Sequence, residues 1–242
     1  MSVTRLTLAP ATHGGARLGW SGHEYRSRAP AQPSLAPPWV AGASVSRVTD
    51  ITHDLEDILQ RYLRKERDAL LATLDGLDER QVRWPLTPTG TNLLGVVKHT
   101  ASVSLGYFGE TFGRDRGQAI PWFDEDAAVN DDMWATADET RDEIVELYRA
   151  SAREADATIA ALELDSPGRV PWWPEGRNEV TLGRILVHMI AETAHHAGHA
   201  DIVREMLIGA ATTDPNLPEW SAEQWAAFRS RLEQIAETAG RG

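Results

Sequence analysis

Four long segments whose apolar residues recur at helical spacing, with almost no alternating pattern between them, confine this chain to an all-α fold. In the first, Leu55, Ile58, Leu59, Tyr62, Leu63, Leu70 and Leu74 repeat at that spacing until Asp75 and Gly76 break the run. A second helix is expected from Leu93 to about Phe112, with Asn92 or Thr91 as its N-cap. A third should open at a capping box formed by Thr136 and Glu139 and run to about Leu162. The fourth starts behind Thr181 and ends near Ile208 and Gly209, and Ser221 with Gln224 marks a terminal helix to about Ala236. Helices of this length pack as a four-helix bundle, here with an extra C-terminal helix.

Residues 1–46 follow different rules. They are rich in Pro, Gly, Ala and Ser and carry no apolar period, so they are expected to be a disordered N-terminal extension ahead of one bundle domain over 47–242. In the whole chain of 242 residues, 42% are hydrophobic, enough for a substantial core. The net charge of −12 gives a surface that repels nucleic acid and anionic membrane, so neither is expected as a partner. No apolar run approaches the roughly 18 residues that read as a membrane span, and the N-terminus lacks the apolar stretch of a signal peptide, which makes the cytoplasm the expected location. Cysteine is absent. That excludes disulfides, thiolate metal ligands and a cysteine nucleophile, so any thiol chemistry must use a thiol supplied from outside.

Five of the eight histidines fall in two helical segments: His99 in the second, and His188, His195, His196 and His199 in the fourth. Imidazole is the commonest protein ligand for zinc, nickel and related ions, so a metal site between these helices is the leading reading. At about 100° per residue, His196 lies within the arc of Ile185, Leu186, Met189, Val203 and Leu207, and Glu192 lies at its edge. Glu192 and His196 are four residues apart and can converge on one ion. His199, His188 and His195 fall progressively outside that arc; His188 reads as a hydrogen-bonded core residue, and the other two as solvated or outer-shell groups. On the second helix His99 is bordered by Gly95, Ser102 and Gly106, small residues that leave room for an ion and substrate or for close helix packing. Trp172 and Trp173 either line a substrate entrance or pack their loop on the bundle. His13 and His23 have no carboxylate or histidine near them in sequence.

The runs TGTNLLGVVKHTASV, PWW and VTLGRILVHMIAETAHHAGHADIVREMLIG, in this order, resemble the DinB-like superfamily, in particular its actinobacterial branch related to mycothiol-dependent metalloenzymes. The resemblance covers about Asp50 to Gly209. It implies a four-helix bundle binding a divalent metal through a histidine on the second helix and a pair four residues apart on the fourth. Carried onto this sequence, those ligands are His99, Glu192 and His196. Many relatives have histidine where this chain has Glu192, and the glutamate is similar to that of mycothiol-dependent maleylpyruvate isomerase.

Three ligands with an open position describe a catalytic rather than a structural site. The resemblance thus implies a thiol transferase or isomerase in which a divalent ion, zinc or nickel, activates a low-molecular-weight thiol such as mycothiol toward an electrophilic substrate. His195 or His199 would then serve as an outer-shell base or orienting group. Two alternatives remain: a metal-dependent hydrolase in which the ion activates water, and a non-catalytic protein that binds a metal or small ligand. A homodimer is left open.

Overall fold

A computed structural model describes residues 45–115, 117–124, 127–209 and 217–240, with side chains from residue 54 onward. The chain forms α1 (Val45–Ala72), the short α2 (Glu79–Arg83), α3 (Leu93–Phe108), α4 (Arg141–Ala161), α5 (Leu182–Ile208) and α6 (Ala222–Ala239). A small antiparallel hairpin, β1 (Pro167–Arg169) with β2 (Glu179–Thr181), sits just ahead of α5 in register Gly168 to Val180. The four long expected helices are α1, α3, α4 and α5, and the chain is a four-helix bundle with an added terminal helix. Most of the expected disordered extension lies outside the described residues, and α1 already begins at Val45.

α3 is the central helix. All its residues but Val103 are buried. A helix apolar around its whole circumference belongs inside a core, which is why its small residues and Leu, Val and Phe side chains share every face. α1 packs on α5 and α3 on α4, and α3 also meets α5. The buried side chains form two clusters along the bundle axis. One gathers Leu70, Leu74, Leu94, Val97, Ile144 and Val203; the other gathers Leu63, Phe108, Ile159, Ile185, Leu186 and Met189. On α5 Glu192 lies between the two clusters in sequence, whereas His99 on α3 sits among members of the first, between Val97 and Ala101.

Caps fix where the helices start. The Asn92 side chain accepts from the Gly95 amide at α3, the Thr181 side chain accepts from the Arg184 amide at α5, and Ser221 and Gln224 form the capping box of α6. Gly209 ends α5 in the left-handed conformation. Two boundaries depart from the sequence expectation. α3 stops at Phe108, and a single 3-10 turn over Glu110–Phe112 replaces its last residues. α4 opens at a second box, Thr140 with Glu143, one turn after the expected one.

The expected box does form: the Thr136 amide donates to Glu139 at 2.7 Å and the Glu139 amide to Thr136 at 3.3 Å. It closes a turn instead of a helix, because Arg83 donates to the carbonyls of Ala135, Thr136 and Glu139 and so withholds them from helical bonding. The sequence expectation omits α2 and the hairpin, which are too short to show a period.

Candidate metal centre

α3 and α5 bring His99, Glu192 and His196 together, with one ligand atom of each within 4.8 Å of the others. The Glu192 Oε1 atom stands 3.1 Å from His196 Nε2 and 3.7 Å from His99 Nε2. Donors held about 2.1 Å from a tetrahedral ion are separated by about 3.4 Å, so these spacings suit a small divalent cation. Nitrogen and carboxylate donors with no thiolate suit a divalent ion rather than a soft one. Burial adds to the fit: the His99 and His196 side chains are only 10% and 12% exposed, whereas that of Glu192 is 32% exposed and marks the open side. His196 Nδ1 is buried with no hydrogen-bond partner among the described residues.

The residue that orients His99 is one the sequence reading missed. Asp132, in the 3-10 turn Asp131–Met133, meets His99 Nδ1 at 2.5 Å and leaves Nε2 turned toward Glu192. A carboxylate on the far nitrogen fixes the tautomer of a ligating histidine and makes it a stronger donor. Gly95 makes this contact reachable. A Cβ there would fall on the Met133 carbonyl, so only glycine lets the turn lie flat against α3 one helical turn before His99. Lys98 secures the next stretch of the same segment, donating to the Trp134 carbonyl at 3.0 Å and pairing with Glu139 at 2.7 Å, with its ammonium 4.0 Å from the Trp122 ring centre.

The small residues beside His99 therefore serve close packing of loops more than open volume. The Met133 carbonyl covers Gly95, the Trp122 indole donates to Ser102 at 2.8 Å, and Trp172 lies on Gly106. Trp172 and Trp173, carried by the hairpin loop, both donate to the Tyr107 hydroxyl and join the core. His188 departs from its expected role: it packs between the rings of Tyr107 and Trp173, with centroids 4.7 and 5.3 Å away, and no hydrogen-bond partner is found among the described residues. Burial lowers its pKa. His195 and His199 stack edge to face at 4.1 Å on the exposed side of α5, next to His196 but outside the trio. His13 and His23 lie outside the described residues.

Electrostatics tie the trio together. Hydrogen bonds from His196 and His99 hold the Glu192 carboxyl well below the usual carboxylate range, against the opposing effect of burial. For His99, burial disfavours the charged ring, but the hydrogen bonds to Asp132 and Glu192 outweigh it and raise the pKa to about 9. The resulting ion pairs support the metal-free fold fully below the ordinary imidazole range, and that support is lost as pH rises through about 9. An ion that took His99 as a ligand would have to displace its proton. Metal affinity should therefore climb roughly tenfold per pH unit up to about 9 and then level off. Calorimetric titration across pH 6 to 10 checks this, and an affinity independent of pH contradicts it.

The family model for mycothiol-S-transferase matches residues 58–209, from within α1 to the glycine that ends α5. This chain belongs to that family. The matched region holds most of α1, the other three bundle helices and all three members of the trio, and α6 lies beyond it. A comparison with curated proteins gives no match. No helix among the described residues is long and apolar enough to cross a membrane.

Proposed function

We propose that this member of the mycothiol-S-transferase family transfers a low-molecular-weight thiol such as mycothiol to an electrophilic carbon, using a divalent ion, zinc or nickel, held by His99, Glu192 and His196. The observation that carries the reading is the convergence of those three donors, from two helices, at the partly exposed edge of Glu192. An ion held there would lower the pKa of a bound thiol and favour its thiolate form at neutral pH. His99, kept in one tautomer by Asp132, supplies a fixed nitrogen donor, and Glu192 supplies the negative charge that balances the ion. Val97, Ala101, Met189 and Ala197, the neighbours of the trio in sequence on α3 and α5, are buried, whereas Glu192 is its most exposed member. The lack of any cysteine in the chain agrees with a borrowed sulfur nucleophile.

Turnover assays test this reading. Conjugation of an alkyl halide should require both the thiol and the ion, stop when a chelator strips the metal, and return when zinc or nickel is restored. Turnover that persists without thiol would overturn the reading and point to metal-assisted hydrolysis. Tight metal binding with no turnover for any thiol would point to a binding protein.

A further inference from the structure

Tyr107 stands two helical turns beyond His99 on α3, and its ring packs against His188, one turn before Glu192 on α5. Only 8% of the residue is exposed. Its hydroxyl oxygen accepts two hydrogen bonds, from the Trp173 indole at 3.1 Å and the Trp172 indole at 3.4 Å. Two donors occupy both lone pairs, and the hydroxyl's own proton finds no acceptor among the described residues. A phenol whose oxygen already accepts twice still has its own proton to offer a bound ligand. The assembly is also costly to build. Trp172 must lie directly on Gly106, with its Cη2 atom 3.0 Å from where a Cβ would be, and the hairpin loop must turn both indoles inward. Tyr107 lies near enough to the trio for the Glu192 charge to help burial raise its pKa. At ordinary pH the phenol is therefore protonated.

We propose that Tyr107, Trp172, Trp173 and His188 form the electrophile-binding site, selective for substrates whose reacting carbon bears an oxygen, such as epoxides, and that the Tyr107 hydroxyl is the catalytic proton donor to that oxygen. The inference rests on the thiol-transfer reading above. In the step, the thiolate sulfur forms a bond to an epoxide carbon, the carbon–oxygen bond breaks, and its electron pair stays on oxygen. That oxygen takes the Tyr107 proton. The phenolate left behind keeps both indole hydrogen bonds, which now stabilise a charge, and regains a proton from the one released when the next thiol ionises. The sum is thiol plus epoxide giving a hydroxy thioether. Trp172 and Trp173 are positioning residues, acting through the phenol oxygen.

The test compares two electrophiles in metal-loaded protein with the same thiol: an epoxide, whose leaving oxygen needs a proton, and an alkyl chloride, whose leaving chloride does not. Tyr107→Phe keeps the ring and its packing. It should lower kcat for the epoxide by about 10²- to 10⁴-fold more than kcat for the chloride, with metal content unchanged. Trp173→Phe removes one donor and should give a smaller loss, again greater for the epoxide than for the chloride. An equal loss with both electrophiles overturns the proposal, since that pattern belongs to a structural role, and so does an undiminished epoxide rate in Tyr107→Phe. If wild type conjugates the chloride but not the epoxide, the proposal falls while the transferase reading stands. If it conjugates neither with any thiol, the transferase reading itself has failed.

Discussion

Replacing His99 with alanine should empty the candidate centre, taking the purified protein from about one divalent ion per chain to none. His99 is the one donor that α3 contributes, and it is the donor whose orientation the protein takes most trouble to fix. Without it the ion is left with two ligands from a single helix. The loss should exceed the roughly 10- to 100-fold in affinity that removal of an outer partner costs. The change also leaves Asp132 and Glu192 facing a gap with no shared cation, so the metal-free variant should be less stable below about pH 9, where the wild-type imidazole is charged. Elemental analysis and far-ultraviolet circular dichroism separate the outcomes. Retained helicity with no metal supports the assignment; equal metal in variant and wild type contradicts it.

Gly95→Ala should weaken the same centre without touching any donor. The new methyl group would collide with the Met133 carbonyl, a backbone atom that cannot rotate away, so the turn carrying Asp132 must lift off α3. Overpacking of this kind costs about 1 to 3 kcal/mol, which for a domain of this size is roughly 2 to 12 °C in Tm. Separately, His99 loses its carboxylate partner, and metal affinity should drop about 10- to 100-fold. Asp132→Asn isolates the second effect, since it keeps the shape of the turn: it should reproduce the loss of affinity, with Tm falling only below about pH 9, where the His99–Asp132 ion pair exists. Metal affinity unchanged in both variants would show that the His99–Asp132 contact does not tune the centre.

The bundle and the trio were legible in the sequence for the same reason, namely that both depend on helical periodicity. Glu192 and His196 share a face because they are four apart, and the apolar residues of α5 say which way that face points. Asp132 had no such signal. It lies in an acidic, aperiodic segment where several neighbouring carboxylates look alike, and only the fold decides which one reaches His99. Gly95 did stand out, but the sequence could not say whether a small residue leaves a space or admits a backbone. His188 illustrates the converse limit. A helical wheel places it outside the core arc, yet Trp173 folds over it from a loop whose path no periodicity encodes. The misplaced start of α4 has the same origin, because the deciding partner of the Thr136 turn is Arg83, more than 50 positions away.

An ion held by His99, Glu192 and His196 should receive an external thiol, and the spectrum of cobalt-substituted protein reports that event at the metal. Titrating a low-molecular-weight thiol into that protein should produce a sulfur-to-cobalt charge-transfer band that saturates at about one thiol per ion. The band should be absent in His196→Ala and retained in His195→Ala, because His195 is exposed and lies outside the trio. Cobalt bound by the trio with no such band at saturating thiol would contradict the account.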